Sequence, residues 1–239
     1  MKPKKVLDSW YRANESLFND SRLAKMQKSL SKIKFTPAGK DIFKPFSFFE
    51  YSSTKVVILN TAPNNNYRNG NYVSNGLAFG VHSEEYDTKE LSVIRDSLSI
   101  DCSVIDVEDH FDWSMEFIAK QEVLLLNCAL TSPLRGDIHK HIPNWNWFIS
   151  GILKNLANNL TGLIFVAVGD TAKAMIKNHV NDSMMNHHYL ETCHPETTAK
   201  YIWKEPKPKD DFKSYHIFDK INQIMYKTNG IKIQFLYPF

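Results

Sequence analysis

Short apolar runs alternate with amphipathic segments along most of the chain. Four runs are bounded by polar turns: Val56–Leu59, Val123–Leu126, Leu163–Val168 and Tyr189–Thr192. Three of them are rich in leucine or β-branched residues, a composition typical of strands buried on both faces of a parallel sheet. The pattern therefore predicts a central sheet built from these runs.

Helical spacing of apolar residues fills the segments between the runs. In one of them Leu91, Ile94 and Leu98 share a face. The predicted helices are Thr88–Leu98, Trp145–Leu160, Asp170–Asn178 with Asp170 at the N-cap, and Phe212–Tyr226. Strands that alternate with helices predict an α/β fold, with a four-stranded parallel sheet flanked by helices on both faces. Residues 204–211 are rich in Pro, Lys and Asp and predict a surface loop, and the whole length 1–239 is expected to form one domain.

Composition narrows the function classes only slightly. With 29 Lys and Arg against 26 Asp and Glu, the net charge is +3, which neither indicates nor excludes a nucleic-acid-binding protein. Cys102, Cys128 and Cys193 show no Cys-x-x-Cys spacing, so we expect reduced thiols, no metal and no cofactor. No apolar run approaches the roughly 18 residues that span a bilayer, so no membrane partner is expected. We predict a cytoplasmic protein (nuclear in a eukaryote), and many Lys, Asn and Ile residues hint at a phage gene.

The most specific pattern follows the first predicted strand. The strand runs into Asn60-Thr61-Ala62-Pro63-Asn64-Asn65, and Asn75-Gly76-Leu77-Ala78-Phe79 follows after a polar loop. This stretch resembles the main uracil-DNA glycosylase family, which writes the same turn as Gly-Gln-Asp-Pro-Tyr-His. Further matches keep their order along nearly the whole chain: Trp10, Asp41–Phe49, Lys55–Val81, Val123–Thr131, Phe165–Ala172, His187–Pro195 and Phe212–Gly230.

The resemblance implies a site that flips a base out of the DNA stack and holds its edge. Phe79 corresponds to the aromatic residue that stacks on uracil. Asn127 corresponds to the amide that pairs with the uracil edge, because an amide offers one donor and one acceptor group. His194 corresponds to the histidine that stabilises the departing uracil anion. Thr61 and Asn64 of the turn are expected beside the base.

Two departures from the family pattern affect the chemistry directly. Ala62 stands where the family has the catalytic Asp, which places the attacking water and offsets positive charge on the sugar. Asn64 replaces the Tyr that excludes a substituent at the 5-position of the base. The resemblance therefore implies a pocket that holds a base but lacks the group that hydrolyses its bond. Asp87, Asp170 or His82 could substitute for the missing carboxylate, as distant branches with an Ala-Pro turn remain active through other groups.

Further departures affect the expected DNA contacts. The phosphate-gripping Pro-Pro-Ser loop reads Thr88-Lys89-Glu90, the Gly-Ser loop reads Gly169-Asp170, and the wedge after His-Pro reads Glu196-Thr197-Thr198. Loss of the apolar wedge removes the side chain that fills the vacated stack. The remaining candidate DNA-binding residues are Arg68, Lys89, Gly169, Thr198 and Lys200, with Lys204 as a further cation.

Three functions remain open on these residues. The first is a hydrolysis-deficient homologue that binds single- or double-stranded DNA, or a pyrimidine base, without efficient excision. The second is an active glycosylase with altered specificity, for uracil or a 5-substituted uracil. The third is an interaction scaffold with a protein partner in replication or repair.

Overall fold

The computed structural model describes residues 3–200 and 211–238, and its centre is a sheet in which four strands run parallel. The spatial order of these strands is β5–β2–β7–β8. The strands are β1 (Phe35–Thr36), β2 (Val56–Asn60), β3 (Tyr67–Arg68), β4 (Asn71–Tyr72), β5 (Val123–Asn127), β6 (Ser132–Pro133), β7 (Ile164–Val168) and β8 (His188–Thr192). β1 pairs with β6, and β3 pairs with β4, as short antiparallel ribbons.

The predicted four-stranded parallel sheet is confirmed, with ends shifted by at most one residue. All residues of β2, β5 and β7 are buried, because helices cover both faces of the sheet. The register pairs Asn60 with Asn127, so β2 and β5 end side by side. Polar side chains at the carboxyl ends of these strands therefore meet at one edge of the sheet, where α/β folds place their sites.

Helices pack on both faces of the sheet. They are α1 (Pro3–Ala13), α2 (Glu15–Phe18), α3 (Ser21–Leu30), α4 (Lys89–Cys102), α5 (Glu116–Ala119), α6 (Ile142–Asn159), α7 (Asp170–Val180), α8 (Pro195–Lys200) and α9 (Ile217–Asn229). α3, α6 and α7 contribute to one apolar core, and α4 and α9 contribute to the core on the opposite face. The helices predicted from apolar spacing are confirmed as elements.

The amino-terminal helices were not predicted, although Trp10 was recognised as a family match. Trp10 is fully buried, and its Nε1 donates to the Phe49 carbonyl at 2.8 Å. α3 buries Leu23, Met26 and Leu30, which recur at spacings of three and four residues. This spacing is the signal that could have identified the helix.

Several boundaries differ from the prediction, including the end of α4, which lies at Cys102 rather than Leu98, and the start of α6, which lies at Ile142 rather than Trp145. The last helix begins at Ile217 rather than Phe212, after a turn in which Phe212 is buried. Asp170 is the first residue of α7 rather than its N-cap. Of the predicted loop 204–211, residues 204–210 lie outside the described residues. Its last residue, Asp211, is 3% exposed because its carboxylate accepts hydrogen bonds from Thr198 and Ser214.

Within residues 3–200 and 211–238, no helix combines the length and the apolar character needed to cross a membrane.

Candidate functional site

A cleft of about 360 Å³ opens at the carboxyl ends of β2 and β8. Side chains from the turn after β2, the segment before α4 and the β8–α8 junction surround it. Its lining includes Asn60, Ala62, Pro63, Asn64, Arg68, Leu77, Phe79, Asp87, Lys89, Glu90, His194 and Glu196. The cleft therefore brings together most of the site residues that the sequence predicts, from positions that are distant in the chain.

The carbonyl groups of the turn after β2 are held by hydrogen bonds from the segment that follows β5. The carbonyls of Asn60 and Thr61 accept from the amides of Cys128 and Ala129 at 2.7 and 3.3 Å. Ser132 Oγ donates to the Pro63 carbonyl at 2.7 Å. Ala62 is 7% exposed, and its methyl group contributes to the cleft wall. A methyl group has no atom that can bind or orient a water.

Phe79 lies on a turn whose conformation is held by Asn75. The Asn75 side chain accepts from the Leu77 amide at 3.1 Å and donates to the Ser114 carbonyl at 2.8 Å. Phe79 itself has φ of +64°, in the left-handed region that residues with a β-carbon seldom adopt. Its ring is half-buried, and its centroid lies 6.1 Å from that of His194. The predicted stacking ring and the predicted anion stabiliser thus share one cleft.

A chain of hydrogen bonds forms the end of the cleft, and we call its three residues the floor: Asn60, Asn127 and His194. Asn60 Nδ2 donates to Asn127 Oδ1 at 2.9 Å and to the Ala62 carbonyl at 3.2 Å. Asn60 Oδ1 lies 3.1 Å from His194 Nε2. Asn60 is 4% exposed and Asn127 is fully buried, so Asn127 lies behind Asn60 rather than at the cleft surface.

The orientation of His194 is set by the backbone on both sides of the ring. The Glu196 amide donates to His194 Nδ1 at 3.2 Å, so Nδ1 is the acceptor nitrogen and the neutral ring carries its proton on Nε2. Nε2 therefore donates to Asn60 Oδ1. Gly169 has φ of +83°, and a β-carbon built on it would lie 3.2 Å from His194 Cβ. A glycine at this position lets the backbone of the β7–α7 turn approach the histidine closely.

Charged side chains of both signs surround the opening of the cleft, and we call them the rim: exposed Arg68, Asp87 and Lys89, and half-buried Glu90 and Glu196. Among the described residues, neither rim cation forms an ion pair. The Asp87 carboxylate accepts from the Ser92 hydroxyl at 3.3 Å and lies 3.9 Å from Arg95 Nη1. The described rim residues thus comprise three carboxylates and two cations.

The three proposed substitutes for the missing carboxylate lie in different places. Asp87 lines the cleft. Asp170 is fully exposed and faces Lys173 at 3.7 Å, outside the cleft. His82 Nε2 lies 3.4 Å from Asp41 Oδ2, and burial lowers the pKa of His82. Asp87 is therefore the substitute that the fold places nearest to the site.

Several predicted contacts need correction. Thr198 is 5% exposed, and its hydroxyl donates to Asp211 at 2.9 Å, so it stabilises the chain and is not available to DNA. Gly169 packs on His194 rather than lining the cleft. The Thr61 side chain is 6% exposed and does not line the cleft. Lys200 ends α8, but its side chain lies outside the described residues, as does Lys204.

Asn64 lies where the prediction placed it, on the cleft wall. Its Oδ1 accepts from the Asn66 amide at 3.0 Å, so the side chain is turned back on its own backbone. A side chain in this conformation fills less of the cleft than an aromatic ring that projects into it. The floor residue that the prediction missed is Asn60. The signal was present in the sequence, because an amide side chain stands where the family turn has glycine.

No group of three or more His, Cys, Asp or Glu side chains that could hold a metal ion occurs within residues 3–200 and 211–238.

No protein-family model matches the chain. Named relatives match it over most of their lengths. The uracil-DNA glycosylase of Vibrio cholerae is 30% identical over 206 residues, which cover 86% of this chain and 82% of the relative. The uracil-DNA glycosylase of Borrelia turicatae is 30% identical over 240 residues, covering 97% of this chain and 98% of the relative.

Solved structures share the fold at lower sequence identity. The crystal structure of mimivirus uracil-DNA glycosylase superposes with a TM-score of 0.78 at 21% identity, covering 96% of this chain and 87% of that one. The UNG crystal structure from Nitratifractor salsuginis gives a TM-score of 0.61 at 18% identity, covering 89% of this chain and 90% of that one.

Proposed function

Since the chain belongs to the uracil-DNA glycosylase family, we propose that it is a DNA-binding member in which uracil excision is severely reduced. The observation that carries this proposal is the Ala62 methyl group in the turn after β2, where the resemblance places the catalytic carboxylate. Hydrolysis of the glycosidic bond needs a positioned water and negative charge near the cationic sugar. Removing such a group typically lowers the rate by about 10²–10⁴.

The environment of Ala62 supports a loss of activity that one substitution does not reverse. The Ala62 carbonyl accepts a hydrogen bond from Asn60 Nδ2, and Ala62 is buried at the cleft wall. A carboxylate at this position would stand beside a rim that already carries Asp87, Glu90 and Glu196. We expect Ala62→Asp to recover little excision, because the turn, the rim and the DNA contacts differ from the family pattern together.

DNA binding on this proposal depends on Arg68 and Lys89, the rim cations. Each phosphate contact on a single strand contributes about 0.7 to the slope of log affinity against log salt. We expect Arg68→Ala and Lys89→Ala each to weaken binding at low salt and to lower this slope by about 0.7. Lys227→Ala is the matched control, because Lys227 is exposed on the last turn of α9 and does not line the cleft.

The decisive experiment measures abasic-site formation on single strands that contain uracil or 5-hydroxymethyluracil. The Vibrio cholerae relative serves as the reference, and fluorescence anisotropy measures binding to the same strands. Binding with turnover at least about 10²-fold below the reference supports the proposal. Turnover near that of the reference contradicts it. If the protein shows no binding and no turnover, a protein-interaction scaffold is favoured instead.

A second candidate function is excision of a 5-substituted uracil. Two observations favour it: Asn64 is turned back on its own backbone, and the Asp87 carboxylate lines the cleft. This candidate predicts cleavage of the 5-hydroxymethyluracil strand in preference to the uracil strand. Asp87→Asn would abolish that cleavage if Asp87 positions the water.

A further inference from the structure

We propose that the Asn60 carboxamide occupies the base-edge position of the pocket and excludes a pyrimidine from it. The inference rests on the family membership behind the proposed function and on the base-site roles that the resemblance gives to Asn127 and His194. It adds a specificity-determining residue, because those two groups are already hydrogen-bonded to a side chain of the protein itself. The cleft then receives DNA at its rim while its floor stays closed.

The hydrogen-bond pattern carries the argument. A uracil edge offers an N–H donor next to a carbonyl acceptor, and a primary carboxamide offers the same two groups side by side. Asn60 Nδ2 donates to Asn127 Oδ1 at 2.9 Å, and Asn60 Oδ1 accepts from His194 Nε2 at 3.1 Å. Asn127 and His194 thus form with Asn60 the same pattern of hydrogen bonds that they would form with a base edge. The second Nδ2 hydrogen reaches the Ala62 carbonyl at 3.2 Å.

Burial and register show why this arrangement persists. Asn60 and Asn127 are paired residues at the ends of the adjacent parallel strands β2 and β5, so their side chains emerge beside each other. Asn60 is 4% exposed and lines the cleft, whereas Asn127 is fully buried and offers no surface to it. The family turn has glycine at this position, which has no side chain to place there.

A pyrimidine that enters must break the hydrogen bonds of Asn60 and then form equivalent ones, so the exchange yields little net gain. Loss of the net contribution of two hydrogen bonds corresponds to a weakening of at least about tenfold. Asn60→Gly removes the competing amide and its volume together. We therefore expect Asn60→Gly to bind free uracil at least about tenfold more tightly than the wild type.

The test is a titration of ¹⁵N-labelled protein with uracil, followed through the Asn127 side-chain amide and the His194 ring signals. We expect saturable shifts in Asn60→Gly and none of comparable size in the wild type. Asn14→Gly is the matched control, because Asn14 is a buried asparagine with two side-chain hydrogen bonds, to Trp10 and Asn155, in the helical amino-terminal region. It should gain no uracil binding.

Equal affinity of the wild type and Asn60→Gly would overturn the inference. A measurement on the wild type alone keeps it testable if the variant fails to fold. The Asn60 Nδ2 hydrogens should exchange slowly with solvent, and the His194 ring should carry its proton on Nε2. Rapid exchange of those hydrogens would contradict an occupied floor.

The outcome separates this inference from the proposed function. If the wild type binds uracil as tightly as Asn60→Gly and binds DNA without excision, only the role of Asn60 is overturned. A wild type that fails to bind DNA, while Asn60→Gly gains uracil binding, overturns the proposed function alone.

Discussion

The floor of the cleft is a chain of hydrogen-bonded polar side chains, of which Asn60 and Asn127 are buried and His194 is half-buried, whereas the rim carries charges of both signs. The floor is set by strand register, which pairs Asn60 with Asn127 and fixes their separation. The rim is set by loops and by the first turn of α4, which carries Lys89 and Glu90. Strand ends fix a geometry, while loops tolerate substitution. Two floor residues, Asn127 and His194, therefore keep the family pattern, whereas Asn60 and the rim depart from it.

The largest expected effect concerns the turn that supports Phe79. Gly76 has φ of +96°, and a β-carbon there would lie 2.2 Å from the Asp41 carbonyl oxygen. We expect Gly76→Ala to lower the free energy of unfolding by about 3 kcal/mol, because backbone strain and a steric overlap combine. Gly70→Ala is the control, since Gly70 has φ of +80° but open space around it. It should cost only about 1–2 kcal/mol in urea denaturation, and equal costs would contradict the overlap.

A double-mutant cycle compares the floor with the rim directly. Asn127→Ala leaves Asn60 Nδ2 without its best acceptor, so we expect a loss of about 1–3 kcal/mol in unfolding free energy. The coupling between Asn60→Ala and Asn127→Ala should be about 1 kcal/mol. The cycle between Asp87 and Arg95, 3.9 Å apart at the rim, should give no more than about 0.5 kcal/mol. Comparable couplings would remove the distinction between the two regions.

A second buried polar chain offers a titratable reference for the floor. Trp145 Nε1 donates to Thr131 Oγ1 at 2.8 Å, and that hydroxyl lies 3.0 Å from His141 Nδ1. The hydroxyl oxygen has two lone pairs and one proton, so it can accept from the indole and still share a hydrogen bond with the ring. Burial is the main cause that lowers the pKa of His141 below its usual value of 6.5.

The sign of the pH dependence follows from this lowered pKa. Below about pH 6.5 the unfolded chain takes up a proton at residue 141 that the folded protein does not bind, so stability falls with acidification. Denaturation midpoints between pH 7.5 and 5 should show the fall. His141→Gln should flatten it relative to the exposed control His139→Gln. A steeper fall in His141→Gln than in the control would contradict the assignment.

The smallest effect is expected at the rim. Lys89 is exposed and makes no ion pair among the described residues, so Lys89→Gln should change the free energy of unfolding by no more than about 0.5 kcal/mol. Its effect should instead appear in DNA affinity. A stability loss above 1 kcal/mol would mean that the rim, like the floor, supports the fold.

The sequence predicts the sheet well, because fully apolar runs leave few alternatives to strands buried on both faces. It also places Phe79 and His194 in one cleft, through the order of the family motifs. It does not reveal that Asn60 lies between Asn127 and His194. These two contacts join residues that are 67 and 134 positions apart in the sequence, and they depend on the strand register. Thr198 was misjudged for a similar reason, because its partner Asp211 lies 13 positions away.

The turn around Asn75 has a consequence for conformational entropy. Its side chain fixes the backbone from Leu77 to Val81, and Phe79 is held in a left-handed conformation before any ligand arrives. A ring ordered in advance loses little conformational freedom on contact with a ligand. The aromatic surface is thus a preorganised element of the protein.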